Sequence, residues 1–292
     1  MTPNRPDRLA RNVAITLLLV LAAVIGLLQA PTLSGFSARV TNSSNKVGTA
    51  ANFTCTGAVG ADASNAILAY KFNDTSGTTS AADFSAHNNT GTYQGAMVSS
   101  ATKPVACPRD TGGAWTLDGS TNYVSTTTAQ TAPTTFTVEA WFKTSTPGGK
   151  IIGFGSQQTG SSRNKDRHLY MASSGQVVFG TYSSTNNGVQ TVTGPTNYAD
   201  GAWHYAVGTM SAQTGMSIYI DGQLITNAPT FTTADAYTGY WRVGYDNLSA
   251  WPGVPNNFYF TGSLRYAAVY STALTQQQIT NHWAAGRQPG QN

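Results

Sequence analysis

Carboxylate side chains are scarce in this sequence, which limits the acid–base chemistry it can support. The only glutamate is Glu139, and Thr137 and Trp141 occupy the positions two residues to either side. Hydrolysis of a glycosidic bond needs two carboxylates flanking that bond, about 5 to 5.5 Å apart for retention and further apart for inversion. No two aspartates are spaced to share a strand face near an aromatic groove. We therefore predict that the protein is not an enzyme.

Nucleophilic catalysis has no better support in the sequence. The four histidines lie far apart, and the chain contains no Gly-x-Ser-x-Gly segment, which presents the nucleophilic serine of many hydrolases. His204 follows Trp203 within an alternating strand pattern, and that pattern explains its position without a catalytic role.

Two loops contain oxygen atoms suited to calcium. Asp74 lies in the segment FNDTSG, and Asp83 and Asn88 lie in DFSAHNNTG. Calcium prefers carboxylate and carbonyl oxygens supplied by such loops. Aspartate and asparagine side chains also cap the turns that contain them. A calcium site at Asp74, Asp83 and Asn88 and a pair of self-capped turns therefore both remain open.

The segment 237–253, YTGYWRVGYDNLSAWPG, concentrates aromatic side chains beside polar ones. Aromatic rings stack on the apolar faces of sugars, while amides and carboxylates bind hydroxyl groups. We predict ligand-binding roles for Trp251, Tyr240, Asp246 and Asn247.

Strand alternation divides the same segment into a buried face and an exposed face. Trp241, Val243 and Tyr245 share one face, which we expect to lie in the core. Tyr240, Arg242 and the turn that contains Trp251 are expected at the surface, where a ligand could reach them.

Strands are the elements that must position these residues. Residues 203–222, WHYAVGTMSAQTGMSIYIDG, contain two alternating runs separated by a five-residue connection with a glycine. Alternation with a period of two indicates strands with one buried face, and the connection favours a hairpin. Similar runs recur between residues 114 and 270 at a spacing of about 8 to 12 residues, which is typical of a β-sandwich or barrel. The last of the predicted strands are at 240–245, 257–261 and 263–270.

The order of these segments resembles the laminin G-like and concanavalin A-like lectin family. Besides 203–222, the resemblance rests on LAYKFNDTSG (68–77), DFSAHNNTGTY (83–93), WTLDGSTNYVS (115–125), FTVEAWFKT (136–144) and FTGSLRYAAVYSTALTQQQI (260–279). It implies an all-β fold, an antiparallel β-sandwich jelly roll, over residues 66–286. One short C-terminal helix is expected as well, because Thr275 and Gln278 form a capping-box pattern and Gly286 ends it.

The resemblance also bears on catalysis and on calcium. Hydrolases of this family usually carry glutamates two and four residues apart on one strand, and this chain has no such pattern. Family members often hold calcium at loops like those of Asp74 and Asp83. Many relatives read Gly-x-Ile-Asp-Glu near the end of the domain, whereas this chain has Arg265 and Tyr266 after Gly262. Calcium is therefore predicted with one expected carboxylate replaced by a cation.

The N-terminus has the features of an export segment. Residues 1–12 contain three arginines, and residues 13–28 contain no charged side chain. Such a flank and apolar core are typical of a signal peptide, although the length also suits an uncleaved membrane anchor. Excluding Arg5, Asp7, Arg8 and Arg11 reduces the net charge from +4 to +2, which gives no support for nucleic-acid binding.

The two cysteines, Cys55 and Cys107, favour a disulfide if the chain is exported. The bridge would stabilise the fold by about 2 to 4 kcal/mol, mainly by restricting the unfolded chain. Two separate thiols are the alternative. Together these patterns predict a signal peptide or anchor at 1–35, a Ser/Thr/Asn-rich spacer at 36–65, the sandwich at 66–286 and a tail at 287–292.

The predicted function is an exported, non-catalytic binding or adhesion module, secreted or at the cell surface, for a glycan or a matrix or cell-surface protein. Contact with a membrane is expected only through residues 13–28. One alternative is a structural envelope or matrix-fibre component, because residues 31–55 weakly resemble the start of bacterial matrix-fibre subunits. A second alternative is a glycan hydrolase.

Overall fold

The computed structural model describes residues 5–28, 53–186 and 188–287, in two units that comprise residues 1–47 and 48–292. In the first unit the described residues form helix α1 (Arg5–Leu28). None of the helices in the described ranges combines the length and apolar character needed to cross a membrane. The function of this segment as a signal peptide or anchor stays a prediction. Most of the fibre-like segment 31–55 and residues 288–292 of the tail lie outside the described residues.

The described part of the second unit is dominated by strands. In chain order they are β1 (Ala66–Tyr70), β2 (Ser80–Ala81), β3 (Gly91–Gln94), β4 (Val98–Ser100), β5 (Ala114–Asp118), β6 (Tyr123–Thr126), β7 (Gln130–Thr131), β8 (Phe136–Lys143), β9 (Lys150–Gly155), β10 (Lys165–Met171), β11 (Val177–Ser183), β12 (Gly188–Thr193), β13 (Trp203–Ser211), β14 (Gly215–Ile220), β15 (Gln223–Ala228), β16 (Thr238–Val243) and β17 (Thr261–Tyr270).

These strands form two antiparallel sheets that enclose the main core. Sheet 1 has the order β15-β14-β13-β8-β17-β5-β4, with β1 also paired to β17. Sheet 2 has the order β12-β11-β10-β9-β16-β6-β3-β2, with β7 also paired to β16. The predicted all-β, antiparallel sandwich is therefore confirmed.

Alternation along each strand separates the core from the outer faces of the sheets. In the central strand β8, Val138, Ala140 and Phe142 belong to the core between the sheets, whereas Glu139 and Trp141 lie on the outer face of sheet 1. Burial of such apolar side chains contributes about 25 cal/mol per Å² removed from water, which favours this register over a one-residue slip. Each sheet thus has an outer face on which functional groups can be placed.

The outer face of sheet 1 is covered by two helices, α2 (Cys55–Ala61) and α3 (Gln276–Gly286). The predicted C-terminal helix is confirmed, with a reciprocal capping box between Thr275 and Gln278. Ile279 of this helix is fully buried, and Trp283 packs against the same apolar cluster.

Helix α2 lies in the segment that the sequence assigns to the spacer. Residues 53–65 form this helix and a short 3-10 turn (Ala63–Asn65), and Ala58 and Val59 are buried against the sandwich. Cys55 at the start of α2 is bridged to Cys107, so the predicted disulfide is confirmed. The helix has seven residues, too few for the periodicity by which longer helices are predicted.

Two further differences concern the strands. Strands β2, β3 and β4 occupy a region in which the sequence shows little apolar periodicity, because they are only two to four residues long. The strand predicted at 257–261 is instead part of the connection between β16 and β17, and β17 begins at Thr261. This connection, residues 244–260, is called the covering loop below.

Candidate functional site

A cavity of about 570 Å³ opens on the outer face of sheet 2. Strands β10, β11 and β12 form one side of it, and the covering loop and residues 235–237 form the other. Three aromatic side chains contribute to its lining, Tyr182, Tyr237 and Trp251. Tyr182 is the most accessible of them, with 43% of its surface exposed. The volume of the cavity falls within the range typical of small-molecule sites, roughly 300 to 1,000 Å³.

Asp166 forms part of the cavity wall and is held by neighbouring groups. One carboxylate oxygen accepts a hydrogen bond from the Arg167 guanidinium, and the other accepts one from the Tyr237 hydroxyl at 3.0 Å. Burial raises the pKa of Asp166, although Arg167 and Tyr237 oppose this shift. Arg167 also donates to the backbone carbonyls of Pro133 and Asp235, so it fixes the wall on both sides.

A second carboxylate of the cavity, Asp235, is also engaged. Its oxygens accept hydrogen bonds from the backbone N–H and the hydroxyl of Ser184 at 3.0 to 3.1 Å. Asp166 and Asp235 therefore line one cavity together with aromatic rings, although they do not share a strand face, because Asp166 lies on β10 and Asp235 lies in the connection before β16. The two aspartates are 69 residues apart in the sequence, so the spacing of residues along a strand could not predict that they lie close together.

The covering loop packs closely over the outer face of sheet 2 because the strands beneath it contain glycines. Side chains at Gly155 and Gly180 would collide with Asp246 and Trp251, respectively. Trp251 packs edge-to-face on the His168 ring, with the centroids 4.4 Å apart. The Tyr170 hydroxyl donates to the carbonyl of Pro252 and holds the loop from below.

Three buried ionisable residues, Lys150, His168 and Arg242, lie beneath the covering loop, and together with the buried Asp246 of that loop they are called the Lys150 cluster. The Lys150 ammonium and the Arg242 guanidinium lie 3.5 and 3.3 Å from the Asp246 carboxylate. Within the described residues, the Lys150 ammonium, both His168 ring nitrogens and two Arg242 nitrogens have no hydrogen-bond partner. This cluster is therefore only partly satisfied.

Burial dominates the protonation of the Lys150 cluster. It lowers the pKa of Lys150 to about 8, although Asp246 opposes the shift. It also lowers the pKa of His168 well below its ordinary range, and the positive charges of Lys150 and Lys165 add to this effect. His168 is therefore neutral at pH 7, whereas Lys150 remains mostly charged.

A second buried polar group lies on the outer face of sheet 1. It comprises Glu139, Tyr205, Tyr270, His282 and Asp62, and is called the Glu139 cluster. Glu139 accepts hydrogen bonds from the hydroxyls of Tyr205 and Tyr270, at 2.5 and 2.9 Å, and its carboxylate lies 3.0 Å from the Nδ1 atom of His282. The Nε2 atom of the same ring lies 3.0 Å from Asp62.

The opposite charges of the Glu139 cluster stabilise the ionised forms of His282 and Asp62. Burial opposes the charged form of His282, but Glu139 and Asp62 outweigh it and raise its pKa to about 10. Burial also tends to raise the pKa of Asp62, but hydrogen bonds from His282 and Gln278 lower it below its ordinary value. The space beside this cluster is about 10 Å³, which is too small for a ligand.

The predicted ligand residues are not brought together as a binding surface. Trp251, expected at the surface, is only 4% exposed because it packs on His168, although part of its ring lines the cavity. Asp246 is fully buried in the Lys150 cluster. Asn247 is partly buried, and its side-chain amide donates to the carbonyl of Ser162 at 3.2 Å, which ties it to the adjacent loop. Tyr240 is partly buried on β16 and does not line the cavity.

Two expectations about the faces of β16 meet different outcomes. Trp241 and Val243 lie in the core as predicted, and Tyr245 is partly exposed and stacks on Tyr259. Arg242, expected at the surface, is fully buried. Its guanidinium lies over the rings of Tyr123 and Tyr245, which replace water around the charge.

Two of the three predicted calcium ligands, Asp83 and Asp74, accept hydrogen bonds from the protein itself. The two oxygens of Asp83 accept four hydrogen bonds, from the backbone N–H groups of Ala69, Ser85 and Asn89 and from the Ser85 hydroxyl, all at 2.8 to 2.9 Å. This is the geometry of a capped turn. Asn88 is exposed, and the carboxylate of Asp74 accepts from the Tyr93 hydroxyl at 2.7 Å.

Arg265 adds a reason why this region fits calcium poorly. Its guanidinium is buried near Asp74 and Asp110, whose charges oppose the lowering of its pKa by burial. A permanent cation already balances these carboxylates, and calcium affinity depends on the number of charged ligands that remain free. Among the described residues, the loops of Asp74, Asp83 and Asn88 therefore offer few free carboxylate oxygens to the ion.

Comparison with protein families identifies this architecture. A family model described as the concanavalin A-like lectin/glucanases superfamily matches residues 118–280, more than half of the chain. The chain belongs to this superfamily. The region matched contains β6 to β17, and so includes every strand that borders the cavity. No curated protein sequence matches the chain.

Solved structures with this fold include binding domains of botulinum neurotoxins. The serotype D/C VPI 5993 binding domain has a TM-score of 0.52 and 17% identity, over 76% of this chain and 52% of that one. The DC binding domain in complex with rat synaptotagmin II (TM-score 0.52, 15% identity) and that in complex with SialylT (0.51, 16%) cover the same 76% of this chain. The chain spans about half the length of these domains, at 52% and 51%. At such identities the likeness shows the fold alone.

Sequence analysis missed most of the cavity because its parts come from distant segments. Tyr182, Arg163 and Lys165 lie on or next to β10 and β11, whereas Asp235 and Tyr237 precede β16. In the structure Tyr182 is the exposed residue of β11, but its sequence neighbours Thr181 and Ser183 are polar, so apolar alternation does not single it out in the sequence.

Proposed function

We propose that this superfamily member is an exported, non-catalytic binding module that recognises a glycan in the cavity on the outer face of sheet 2. The observation that carries the proposal is the combination of exposed aromatic surface and polar groups around one cavity of about 570 Å³. Aromatic rings provide stacking surfaces for sugars, and convergent polar groups orient the hydroxyls.

The arrangement of side chains supports a role of the cavity in binding. The wall is fixed by the Arg167 hydrogen bonds and by Ser184 on Asp235, so little side-chain entropy is lost on binding. Tyr182 projects into the cavity with 43% of its surface exposed, and the hydroxyls of Ser184 and Ser249 lie nearby. A surface protein is the other class of ligand expected from the sequence. A cavity of about 570 Å³ suits a saccharide better than it suits the flat surface of a protein partner.

The carboxylates support a non-catalytic role. Glu139, the only glutamate, is 1% exposed and lies on the opposite side of the sandwich from the cavity. Asp166 is only 1% exposed and its two oxygens already accept hydrogen bonds from Arg167 and Tyr237, so it is poorly placed to exchange a proton with a ligand. Asp235 already accepts hydrogen bonds from Ser184.

The proposal is tested with an array of glycans and three variants of the full-length protein. Tyr182→Ala removes the most exposed ring of the cavity, and Ala236→Trp fills the cavity without deleting a contact. Each is expected to weaken binding by about tenfold or more, whereas Phe53→Ala, which removes an exposed ring elsewhere, leaves it unchanged. Failure to bind any glycan, or equal binding by all three variants, contradicts the proposal.

One observation favours the alternative function, glycan hydrolysis: Asp166 and Asp235 line the same cavity. The same glycans are therefore incubated with the protein and assayed for new reducing ends. We expect none. Release of reducing ends that is lost in Asp235→Asn, while this variant still binds the glycan, would replace the binding proposal with hydrolysis.

Export is supported by the basic flank and apolar run of the N-terminus and by the disulfide, because disulfides persist in oxidising compartments. The test is thiol alkylation of the protein in intact cells followed by mass measurement. Exported protein is expected to add two alkyl groups only after reduction. Alkylation of both cysteines without reduction contradicts export.

A further inference from the structure

The charged groups around the cavity differ in whether the protein already pairs them. Both carboxylates are engaged, Asp166 by Arg167 and Tyr237, and Asp235 by Ser184. The basic groups are not. Arg163 is exposed and forms no ion pair with any described residue, and Lys165 makes only a hydrogen bond of 3.3 Å to the Ser249 hydroxyl.

Arg163 and Lys165 are placed to act on the same ligand group. They lie two residues apart where the chain enters β10, and both line the cavity. The ring of Tyr182 and the edge of Trp251 line the same space. An anionic group bound by the two cations would therefore leave the rest of the ligand beside aromatic surface.

The buried layer next to the cavity adds positive charge. Lys150, Arg167 and Arg242 outnumber Asp166 and Asp246, and all five side chains are buried. The field of a buried charge is screened less than that of an exposed one, so this excess extends into the cavity. The cavity wall, with Arg163 and Lys165 on it and Asp235 opposite, therefore favours anions.

We infer that the ligand is an acidic glycan, with its carboxylate on Arg163 and Lys165 and a neutral sugar face on Tyr182. This inference rests on the proposed function and specifies the chemical class of its ligand. Charge complementarity carries it, because the free groups of the cavity are cationic while its carboxylates are already bonded. A neutral glycan would leave both cations without a partner.

The test compares acidic oligosaccharides with their neutral counterparts by calorimetry on the full-length protein. The probes are oligogalacturonate, hyaluronan fragments and sialyllactose, and each is paired with its carboxyl-reduced form or, for sialyllactose, with lactose. We expect at least one acidic member to bind about tenfold more tightly than its neutral partner, with an affinity that falls as salt is added. Equal affinities within every pair, or binding of neutral sugars alone, overturn the inference and leave the proposed function standing.

A pair of variants locates the anion. Arg163→Gln with Lys165→Gln is expected to remove the preference for the acidic member and to leave the affinity for its neutral partner unchanged. Lys103→Gln with Lys143→Gln is the matched control, because these two basic residues line a separate cavity of about 220 Å³. Loss of the acidic preference in the control pair instead overturns the inference.

Two further outcomes separate this inference from the proposed function. If no saccharide binds, acidic or neutral, both fail together. If a polyglutamate peptide binds as tightly as the best acidic saccharide, the cavity recognises negative charge without sugar, and the glycan part of both proposals fails.

Discussion

The two outer faces of the sandwich both carry buried ionisable groups, but they treat these groups differently. In the Glu139 cluster, the carboxylate, the two tyrosine hydroxyls and both nitrogens of His282 have partners. In the Lys150 cluster, the ammonium of Lys150 has an ion pair with Asp246 at 3.5 Å, but neither it nor the two nitrogens of His168 has a hydrogen-bond partner among the described residues. Buried polar groups are usually satisfied, so the second face departs from the rule.

The difference separates the region that we interpret as structural from the region that we propose to bind a ligand. The satisfied cluster lies under α2 and α3, close to the disulfide, and leaves a space of only about 10 Å³. The unsatisfied cluster lies under the covering loop, beside the cavity of about 570 Å³. A network whose hydrogen bonds are all made stabilises the fold, whereas a cluster in which two cations share one carboxylate keeps an excess positive charge that acts on a ligand nearby.

The largest expected effect is the loss of stability in Glu139→Gln. The substitution leaves the buried, charged His282 with only Asp62 as a counter-charge, and breaking a buried ion pair costs about 3 to 5 kcal/mol. Tyr270→Phe, which removes one hydrogen bond to the same carboxylate, is expected to cost about 1 kcal/mol. Both free energies of unfolding are measured in urea. A loss below about 1 kcal/mol in Glu139→Gln would show that the cluster is not structural.

The two clusters are expected to respond to pH in opposite directions. The pKa of His282 is raised to about 10 in the folded state, so its contribution to stability is complete below about pH 6.5 and is lost between about pH 6.5 and 10. The pKa of Lys150 is lowered to about 8, so its destabilising effect is present below pH 8 and is relieved between about pH 8 and 10.5.

Single variants separate the contributions of His282 and Lys150 to the pH dependence of stability, which is measured by urea titrations from pH 6 to 10. His282→Asn is expected to abolish the fall in stability with rising pH. Lys150→Met is expected to make that fall steeper above pH 8, because the opposing rise is removed. An unchanged pH profile in either variant contradicts the assignment for that residue.

A smaller effect is expected from Lys150→Met at pH 7. The Lys150 ammonium has no hydrogen bond to lose, and Asp246 keeps Arg242 and the backbone N–H groups of Ser162 and Asn247 as partners. Removing the Lys150 ammonium also removes the cost of keeping that charge buried, which outweighs its attraction to Asp246 in the pKa of Lys150, so the two losses largely offset each other. We expect a change of about 1 kcal/mol or less in the free energy of unfolding. A loss similar to that of Glu139→Gln would remove the contrast between the faces.

The smallest effect is expected from calcium. Because Asp83 is saturated by turn hydrogen bonds and Arg265 lies near Asp74, addition of 2 mM calcium or of EDTA is expected to leave the Tm unchanged within about 1 °C. A rise of several degrees with calcium would show that the Asp74 and Asp83 loops bind the ion after all.

The fold was predictable from sequence to a greater extent than the cavity. Alternation over long strands such as β8 and β13 and the capping box at Thr275 are local patterns, and both predicted real features. The disulfide was predicted from the even number of cysteines, although its two residues are 52 positions apart. The short strands and helix α2 were not predicted, because each contains too few residues to show a periodic pattern.

The cavity was not predicted from the sequence for a different physical reason. Whether an aromatic residue in a loop is exposed depends on what lies beneath it, and Trp251 is buried because Gly180 and His168 leave room for its ring. Arg242 lies on the strand face opposite Trp241 as alternation requires, but the covering loop buries that face too. Such facts depend on contacts between distant segments, which a strand pattern does not contain.

The most direct test of this account is calorimetric titration of two variants with the tightest-binding acidic oligosaccharide, at equal fractions of folded protein. The account predicts that Tyr270→Phe, in the Glu139 cluster, binds like the original protein despite its lower stability. It predicts that Tyr182→Ala, in the cavity, keeps its stability and loses about tenfold in affinity. Weaker binding by Tyr270→Phe together with unchanged binding by Tyr182→Ala would contradict the assignment of structure to one face and recognition to the other.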